Sequence, residues 1–282
     1  MKEHFASWLS DAGYGEIIRV EALTGGCINN TARLHLDRGL SVILKYNVSA
    51  PAELFHAEAA GLAALSQRQA VRVPKVLRVA AHYLILEDLG CASPGTDYWR
   101  LLGAGLAALH GEPAEAFGFT EDNYCGATTQ SNPITRDGHQ FFAEQRIMAL
   151  AMQCLDEGKM PTESVRQLRQ ISDRLDIWIP DFAPVLIHGD LWIGNTHCCA
   201  DGQPALIDPA VYWGWAEADL AMTALFGGFP AAFYQSYYEN SEITSDWKDR
   251  MPLYNLYPLL NHLLLFDGSY LRDITEICRR FA

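Results

Sequence analysis

A chain of 282 residues, 49% of them hydrophobic, can bury a large core in one domain or in two lobes. Its 34 acidic and 21 basic residues give a net charge of −13, which argues against nucleic acid and an anionic membrane surface as partners. Seven cysteines, without a C-x-x-C pair, argue against a disulfide framework and a zinc knuckle and favour a reducing cytoplasm. A soluble protein is expected, because neither a secretion signal nor an apolar stretch long enough to span a bilayer is evident.

The first ninety residues are rich in strand signals. β-Branched or alternating apolar residues, mostly bounded by Gly, Asp, Asn or Pro, predict five strands: Glu16 to Leu23, Thr31 to Leu36, Leu40 to Tyr46, Val76 to Ala80 and Tyr83 to Glu87. One helix is predicted among them, from Ser49 to Leu65, where an early proline precedes an apolar stripe.

After Gly90 the pattern becomes largely helical. Helices are predicted at Thr96 to His110, His139 to Asp156, Thr162 to Trp178, Glu217 to Phe226 and Pro252 to Phe266. Only two short strands, Val185 to His188 and Ala205 to Asp208, are predicted to interrupt them. The sequence therefore predicts an α+β, protein-kinase-like fold, with a β-rich nucleotide-binding lobe at residues 1–88 and a larger, mainly helical catalytic and substrate-binding lobe at residues 89–282.

The strongest chemical signal is HGDLWIGN at residues 188–195, followed by IDP at residues 207–209. It matches the H-x-D-x-x-x-x-N catalytic loop and the second metal-binding aspartate of kinases. Asp190 would accept the proton of an acceptor hydroxyl, while Asn195 and Asp208 would supply oxygen ligands to Mg²⁺ on the ATP phosphates. A loop after one short strand and the end of the next strand can converge on one point, so the pattern predicts phosphoryl transfer from ATP.

Asp190 and Asn195 also have a simpler interpretation as turn residues, which is the better one for either residue alone. Taken together, the motif residues favour the catalytic interpretation, because a lysine partner lies upstream of them. Lys45 lies in the apolar strand VILK, from which a lysine can reach the α and β phosphates. Glu58 falls on the apolar stripe of its helix, where a carboxylate requires a partner. Lys45 and Glu58 are therefore predicted to form an ion pair on the ATP side of the site.

The segment LTGGCINN, residues 23–30, lies between two predicted strands. The backbone N–H groups around Gly25 and Gly26 are predicted to cover the phosphates, although a plain hairpin turn explains both glycines equally well. Cys27 lies beside them and is a candidate for inhibitory oxidation, with a small turn residue as the alternative interpretation.

Other features near the motif have plainer interpretations. His197-Cys198-Cys199 lacks the spacing of a metal site. An acid in the segment from Glu217 to Asp219, near a predicted helix start, is interpreted as a capping residue. Three aromatic residues are either core or a wall of the substrate pocket: Tyr212, Trp213 and Trp215. Trp192 is the better candidate for the pocket, because it lies inside the catalytic loop.

The departures from protein kinases point to a narrower group. Gly189 replaces the Arg of H-R-D, DPA replaces D-F-G, and no A-P-E follows. These differences resemble small-molecule kinases of the aminoglycoside and choline phosphotransferase type. Within that group, the segments TGGCINN, ILKYN, FFAEQR, HGDLWIGN, IDPAVYWGWAEADLAM and FGGFP are similar to the fructosamine (ketosamine) kinase family, over about residues 20 to 240.

The resemblance implies ATP-dependent phosphorylation of a ketosamine at the third carbon of its sugar, and a part in protein deglycation. It implies that Asp190 is the proton acceptor and that Asn195 and Asp208 are the metal ligands. Lys45 and Glu58 would form the phosphate-side pair, and Trp192 would contact the sugar. The segment that hydrogen-bonds adenine would be Glu87, Asp88 and Leu89. Gly138-His139 stands where members of the family often have an aromatic residue before the Phe-Phe pair, and this puts that part of the acceptor pocket in question.

Two other functions are compatible with the sequence. A kinase for another hydroxylated amine, such as an aminoglycoside or choline, or for a free sugar shares the logic of Asp190, Asn195 and Asp208. A nucleotide-binding pseudokinase is a second class, although a candidate is present for every catalytic role. The sequence does not choose the sugar, the amine or the oligomeric state. The acceptor is either a small molecule or a protein-linked ketosamine.

Overall fold

The computed structural model describes residues 2–23, 29–266 and 268–282. Its N-terminal lobe is a five-stranded antiparallel sheet in the order β1-β2-β3-β5-β4. The strands are β1 (Ile17–Leu23), β2 (Asn30–Leu36), β3 (Ser41–Tyr46), β4 (Val76–Ala80) and β5 (Tyr83–Glu87). All five strands predicted from the sequence are confirmed, within a residue at each end. Helix α1 (Lys2–Asp11), which the sequence pattern did not predict, precedes them.

Strand β3 separates two packing environments. Val42 and Leu44 enter a small core together with Phe5 of α1. Because side chains alternate along a strand, Ile43 and Lys45 lie on the opposite face of the sheet. Ile43 packs there against the main core of the molecule, and this places Lys45 on the inner face of the lobe.

Helix α2 (Leu54–Arg68) lies on that inner face and begins five residues later than predicted. The chain from Asn47 to Ala50 forms a turn instead, in which the Asn47 side chain accepts the Ser49 N–H at 3.0 Å. An Asn side chain that satisfies the backbone two residues later competes with helix formation, which explains the late start. Leu54 and Leu62 are buried on the side of α2 that faces the main core.

The C-terminal lobe is mainly helical. Its longer helices are α3 (Tyr98–His110), α5 (Ala149–Asp156), α6 (Thr162–Ser172), α8 (Ala216–Leu225), α9 (Ala231–Glu239), α10 (Trp247–Phe266) and α11 (Tyr270–Phe281). Short helices occur at α4 (Gly138–Phe141) and α7 (Leu175–Trp178). The predicted helix from His139 to Asp156 is one continuous segment whose middle, Phe142–Met148, is π-helical. Helices α9 and α11 were missed.

Both strands predicted in this lobe are confirmed, but the prediction that there are only two is wrong. Strand β8 (Val185–Ile187) pairs with β11 (Tyr212–Gly214), and β10 (Pro204–Leu206) pairs with β9 (Thr196–Cys198). A further hairpin joins β6 (Asn123–Cys125) to β7 (Thr128–Gln130). Each of these strands has three residues, too few to display a period of two in the sequence.

The two lobes match the α+β outline predicted from the sequence. The β8–β11 and β9–β10 ladders flank the segment from residue 188 to residue 195 and hold both of its ends. Within the described ranges, no helix is long and apolar enough to cross a membrane.

Candidate active site

A cavity of about 500 Å³ lies where the sheet, helix α2 and the C-terminal lobe meet. It collects side chains that are far apart in the sequence: Lys45, Glu58, Asp190, Trp192, Asn195 and Asp208. The structure thus brings together in one cavity six of the residues that the sequence singled out, including those for the base, the metal and the phosphates.

Lys45 lies between two carboxylates. Its Nζ donates to Glu58 Oε1 at 2.6 Å and to Asp208 Oδ1 at 2.9 Å. Burial acts to lower the pKa of the Lys45 ammonium, but the charges of Asp208 and Glu58 outweigh it and the pKa is raised. The lysine therefore stays positively charged, and its two ion pairs join β3 to α2 and to the segment that follows β10.

Asp190 is half-buried, and removal from water raises the pKa of its carboxyl to about 7. The hydrogen bond from Asn195 opposes the rise, and the negative charges of Asp208 and Asp219 add to it. Asn195 Nδ2 donates to the Asp190 backbone carbonyl at 2.8 Å and to Oδ2 at 2.9 Å. A carboxyl with a pKa near neutrality, held in one orientation, suits a general base that takes a hydroxyl proton.

The loop that carries Asp190 is fixed by a residue from helix α8. Asp219 accepts the backbone N–H of His188 at 2.7 Å and that of Gly189 at 2.9 Å. Gly189 has a φ of 81°, and a Cβ there would lie 2.1 Å from the Ala210 carbonyl oxygen. No side chain fits at this position, which is the physical reason for glycine where protein kinases have arginine.

Asn195 and Asp208 fit a Mg²⁺ site by their chemistry. The Nδ2 of Asn195 is used in hydrogen bonds to Asp190, so the amide oxygen is the atom left for a cation. Asp208 has a φ of 55°, unusual for a residue other than glycine and frequent at functional sites. In the described part of the chain no group of three or more His, Cys, Asp or Glu side chains could hold a metal. Mg²⁺ requires no such group, since it accepts one or two protein oxygens together with phosphate and water.

The segment predicted to bind adenine does not line this cavity. The side chain of Glu87 bonds to Arg72 and to the Lys75 N–H, and that of Asp88 bonds to Arg33. The backbone of the segment is also partly in use, because the Glu87 N–H donates to the Lys75 carbonyl and the Leu89 carbonyl accepts the Ala200 N–H, both at 2.9 Å. Gly25, Gly26 and Cys27 lie outside the described residues.

Trp192 contributes its ring to the cavity wall. A Cβ on Gly194 would lie 2.3 Å from this ring, so the glycine two positions later leaves space for the tryptophan. The other aromatic residues of the motif belong elsewhere. Tyr212 and Trp215 are buried in the main core, and Trp213 packs against it beneath Arg68. Of the two interpretations, core is correct for them.

His139 does not line the cavity either. Its Nε2 bonds to the Ile179 carbonyl at 2.7 Å, and its ring packs against Trp215. The position that the family resemblance linked to the acceptor pocket therefore packs against the core instead.

Several residues of the site were not predicted from the sequence. The capping interpretation of the acids in α8 is wrong, because Asp219 holds the catalytic loop and Glu217 forms a bidentate pair with Arg250. Other cavity residues come from the segment after α8, from α10 and from α11: Phe226, Asn261, His262 and Tyr270. No local pattern marks them. The one available signal was that Asn261 and His262 are polar residues within an apolar helical stretch, a position that calls for a polar partner or ligand.

Comparison with known proteins agrees with this geometry. The model of a family described as fructosamine kinase matches residues 1–281. A probable ketoamine kinase from Synechocystis is 40% identical in an alignment of 278 residues. The match covers 94% of this chain and 92% of the relative. A chloroplastic protein-ribulosamine 3-kinase from Arabidopsis thaliana is 32% identical, and the match covers 93% of this chain and 82% of the relative.

Solved structures show the same similarity. The crystal structure of a predicted fructosamine-3-kinase from Thermobifida fusca has a TM-score of 0.87 and 33% identity, with 98% of each chain covered. An aminoglycoside phosphotransferase in ternary complex with AMP-PNP and hygromycin B has a TM-score of 0.64 at 17% identity, with 97% of each chain covered. The second likeness concerns the fold alone and confirms the kinase-like architecture.

Proposed function

Because the chain belongs to the fructosamine kinase family, we propose that it transfers the γ-phosphoryl group of ATP to the hydroxyl on the third carbon of a ketosamine sugar. One observation carries the proposal. The buried Lys45 cation, the near-neutral base Asp190 and the oxygen ligands Asn195 and Asp208 all line one cavity. A phosphoryl-transfer site requires this combination of groups.

The proposed reaction assigns one task to each side chain. Asp190 accepts the proton of the sugar hydroxyl while the hydroxyl oxygen forms a bond to the γ-phosphorus. At the same time the bond from that phosphorus to the bridging oxygen breaks, and ADP leaves. Lys45, held by Glu58, neutralises charge on the α and β phosphates. Asn195 and Asp208 would hold Mg²⁺, which when bound offsets the negative charge of the phosphates.

The remaining nucleotide contacts follow from the lobe arrangement. We assign residues 1–88 to the nucleotide-binding lobe and residues 89–282 to the catalytic and substrate-binding lobe. The backbone of Glu87, Asp88 and Leu89 would meet adenine, and the N–H groups around Gly25 and Gly26 would cover the phosphates. Trp192 would pack against the sugar. Cytoplasm is the proposed location, while the Arabidopsis relative is named as chloroplastic.

An assay of ADP release tests the function and separates it from its alternatives. The purified protein is supplied with Mg²⁺, ATP and one acceptor: a fructosamine, a ribulosamine, an aminoglycoside, choline or a free sugar. Release of ADP that depends on a ketosamine is the expected result. Release with an aminoglycoside or choline but with neither ketosamine would leave a kinase of another specificity, and no release with any acceptor would favour the pseudokinase.

A further inference from the structure

Beyond the catalytic loop, the wall of the cavity is a row of aromatic rings. Trp192 lies edge-to-face against Phe226, with ring centroids 6.3 Å apart. Phe226 packs on His262 at 4.7 Å, and His262 packs on Tyr270 at 5.3 Å. All four line the cavity that holds Asp190. The row thus leads from the catalytic loop to α10 and α11.

His262 carries one polar atom that no hydrogen bond in the described structure uses. Its Nδ1 lies 2.8 Å from the Pro258 carbonyl oxygen, which can only accept a hydrogen bond. Nδ1 therefore carries the proton, and Nε2 is left with a lone pair. Burial lowers the pKa of His262, so its ring is neutral and Nε2 stays an acceptor at neutral pH. Among the described residues Nε2 has no hydrogen-bond partner, so it is available to a ligand in the cavity.

A neighbouring atom gives a second, independent indication of a ligand. The side-chain amide of Asn261 donates to the Cys125 carbonyl at 3.2 Å, while its Oδ1 is buried without a partner in the described structure. Asn261 is only 3% exposed, yet it lines the cavity. A buried acceptor without a donor costs free energy, and such an acceptor usually takes its donor from a bound water, ion or ligand.

The amine of a ketosamine must bind close to the base. In a ketosamine the nitrogen is attached to the first carbon, four bonds from the oxygen on the third, so the two atoms are at most about 5 Å apart. Trp192 is two residues from Asp190 and lines the same cavity, so the aromatic row begins in the loop that carries the base. Asn261 and Cys125, whose Sγ lies 3.3 Å from the Asn261 amide nitrogen, line this cavity as well.

We infer that the rings of Trp192, Phe226 and His262 form the subsite for the acceptor's secondary ammonium, with Nε2 of His262 accepting its N–H. The inference rests on the proposed function and adds to it the group by which the acceptor is recognised. Aromatic faces attract an ammonium through the ring quadrupole, and more strongly when water is excluded. The site therefore selects a cationic amine over a neutral sugar carrying the same hydroxyls.

Two matched acceptors test this subsite: an N-alkyl fructosamine, and its ether analogue with oxygen in place of the nitrogen. kcat/KM is measured for both with the wild type, with His262→Phe, which keeps the ring and removes the acceptor atom, and with His262→Gln, which restores an acceptor near Nε2. His139→Phe is the control, because His139 also bonds a backbone carbonyl and packs on an aromatic ring but lies outside the cavity.

His262→Phe is expected to lower kcat/KM for the amine by about 10- to 100-fold, the loss of one hydrogen bond to a charged group, while the ether changes less than about twofold. His262→Gln should recover part of the loss, and His139→Phe should leave the amine-to-ether ratio unchanged. An equal loss for both acceptors in His262→Phe would overturn the subsite and leave His262 a packing residue. A wild type that phosphorylates neither compound would overturn the proposed function and this inference together.

Discussion

At the scale of single residues, Asp190 shows a conflict between catalysis and stability, because the ionised form suits the reaction while the fold favours the neutral form. The half-buried carboxyl has its pKa raised to about 7, because removal from water and the charges of Asp208 and Asp219 disfavour ionisation. In the proposed mechanism Asp190 must be ionised to act as the base, so catalysis would use a carboxylate that the fold disfavours. Asn195 partly offsets this by donating to Oδ2.

Asp190→Asn should lower turnover by about two to four orders of magnitude, because the amide cannot accept the hydroxyl proton. The KM for ATP should change little, since no proposed nucleotide contact is lost. Steady-state kinetics with a ketosamine acceptor measures both. Asp201→Asn, at an exposed loop position, is the control and should behave as the wild type. Near-normal turnover in Asp190→Asn would remove Asp190 from the mechanism.

The same substitution should stabilise the protein at high pH when metal and nucleotide are absent. The folded carboxyl titrates near pH 7 and the unfolded one near 4, so between these values the folded state holds the extra proton. The Asp190 contribution to stability therefore falls as pH rises from about 4 to 7. Asp190→Asn lacks this loss. The free energy of unfolding of the variant minus that of the wild type should therefore be larger at pH 8 than at pH 5, by a few kcal/mol. Urea denaturation at the two pH values measures this difference. A difference independent of pH would show that the Asp190 pKa is not raised.

At the scale of elements, helix α8 connects the catalytic loop to the helical core. Both carboxylate oxygens of Asp219 accept hydrogen bonds from the loop, and His110 of α3 lies 3.3 Å from Oδ2. The other nitrogen of His110 bonds to the Tyr237 hydroxyl of α9 at 2.8 Å. Three helices thus fix the backbone on which the base stands.

Asp219→Asn should loosen this connection. Asn offers one acceptor where the carboxylate offers two, so a loop N–H is left facing an amide donor. The free energy of unfolding is expected to fall by about 1–3 kcal/mol. Turnover should fall about 10- to 100-fold through displacement of the base, with the KM for ATP nearly unchanged. Thermal denaturation and kinetics measure the two effects. The exposed Asp173→Asn is the control, and full turnover in Asp219→Asn would rule out this positioning role.

What the sequence reveals about elements depends partly on their length. The N-terminal strands have five to seven residues, enough for alternation to show, and all were predicted. Of the three-residue strands, β8 and β10 were predicted, whereas β6, β7, β9 and β11 were missed because tertiary pairing rather than local pattern creates them. Asp219 was misread for a related reason: near a helix start an acid usually caps, and only the folded chain shows its partners to be His188 and Gly189.

At the scale of the whole molecule, the cavity depends on parts of the chain that are far apart. The motif at residues 188–195 predicted the base and the amide ligand, because their spacing is fixed by the chemistry. The proposed acceptor side depends on Asn261 and His262 of α10 and on Tyr270 of α11, which reach the cavity only through the packing of the lobe. A single sequence carries little information about such contacts, which is why the catalytic half of the site could be predicted and the acceptor half could not.

The position of the phosphate on the product is a direct test of the proposed phosphorylation of a ketosamine on its third carbon. The wild type is incubated with Mg²⁺, ATP and an N-alkyl fructosamine, and the product is examined by NMR for coupling between phosphorus and the sugar carbons. A single phosphate on the third carbon is expected, formed with one ADP per product and nearly absent with Asp190→Asn. A phosphate on another carbon, or ADP release without a phosphorylated sugar, would contradict it.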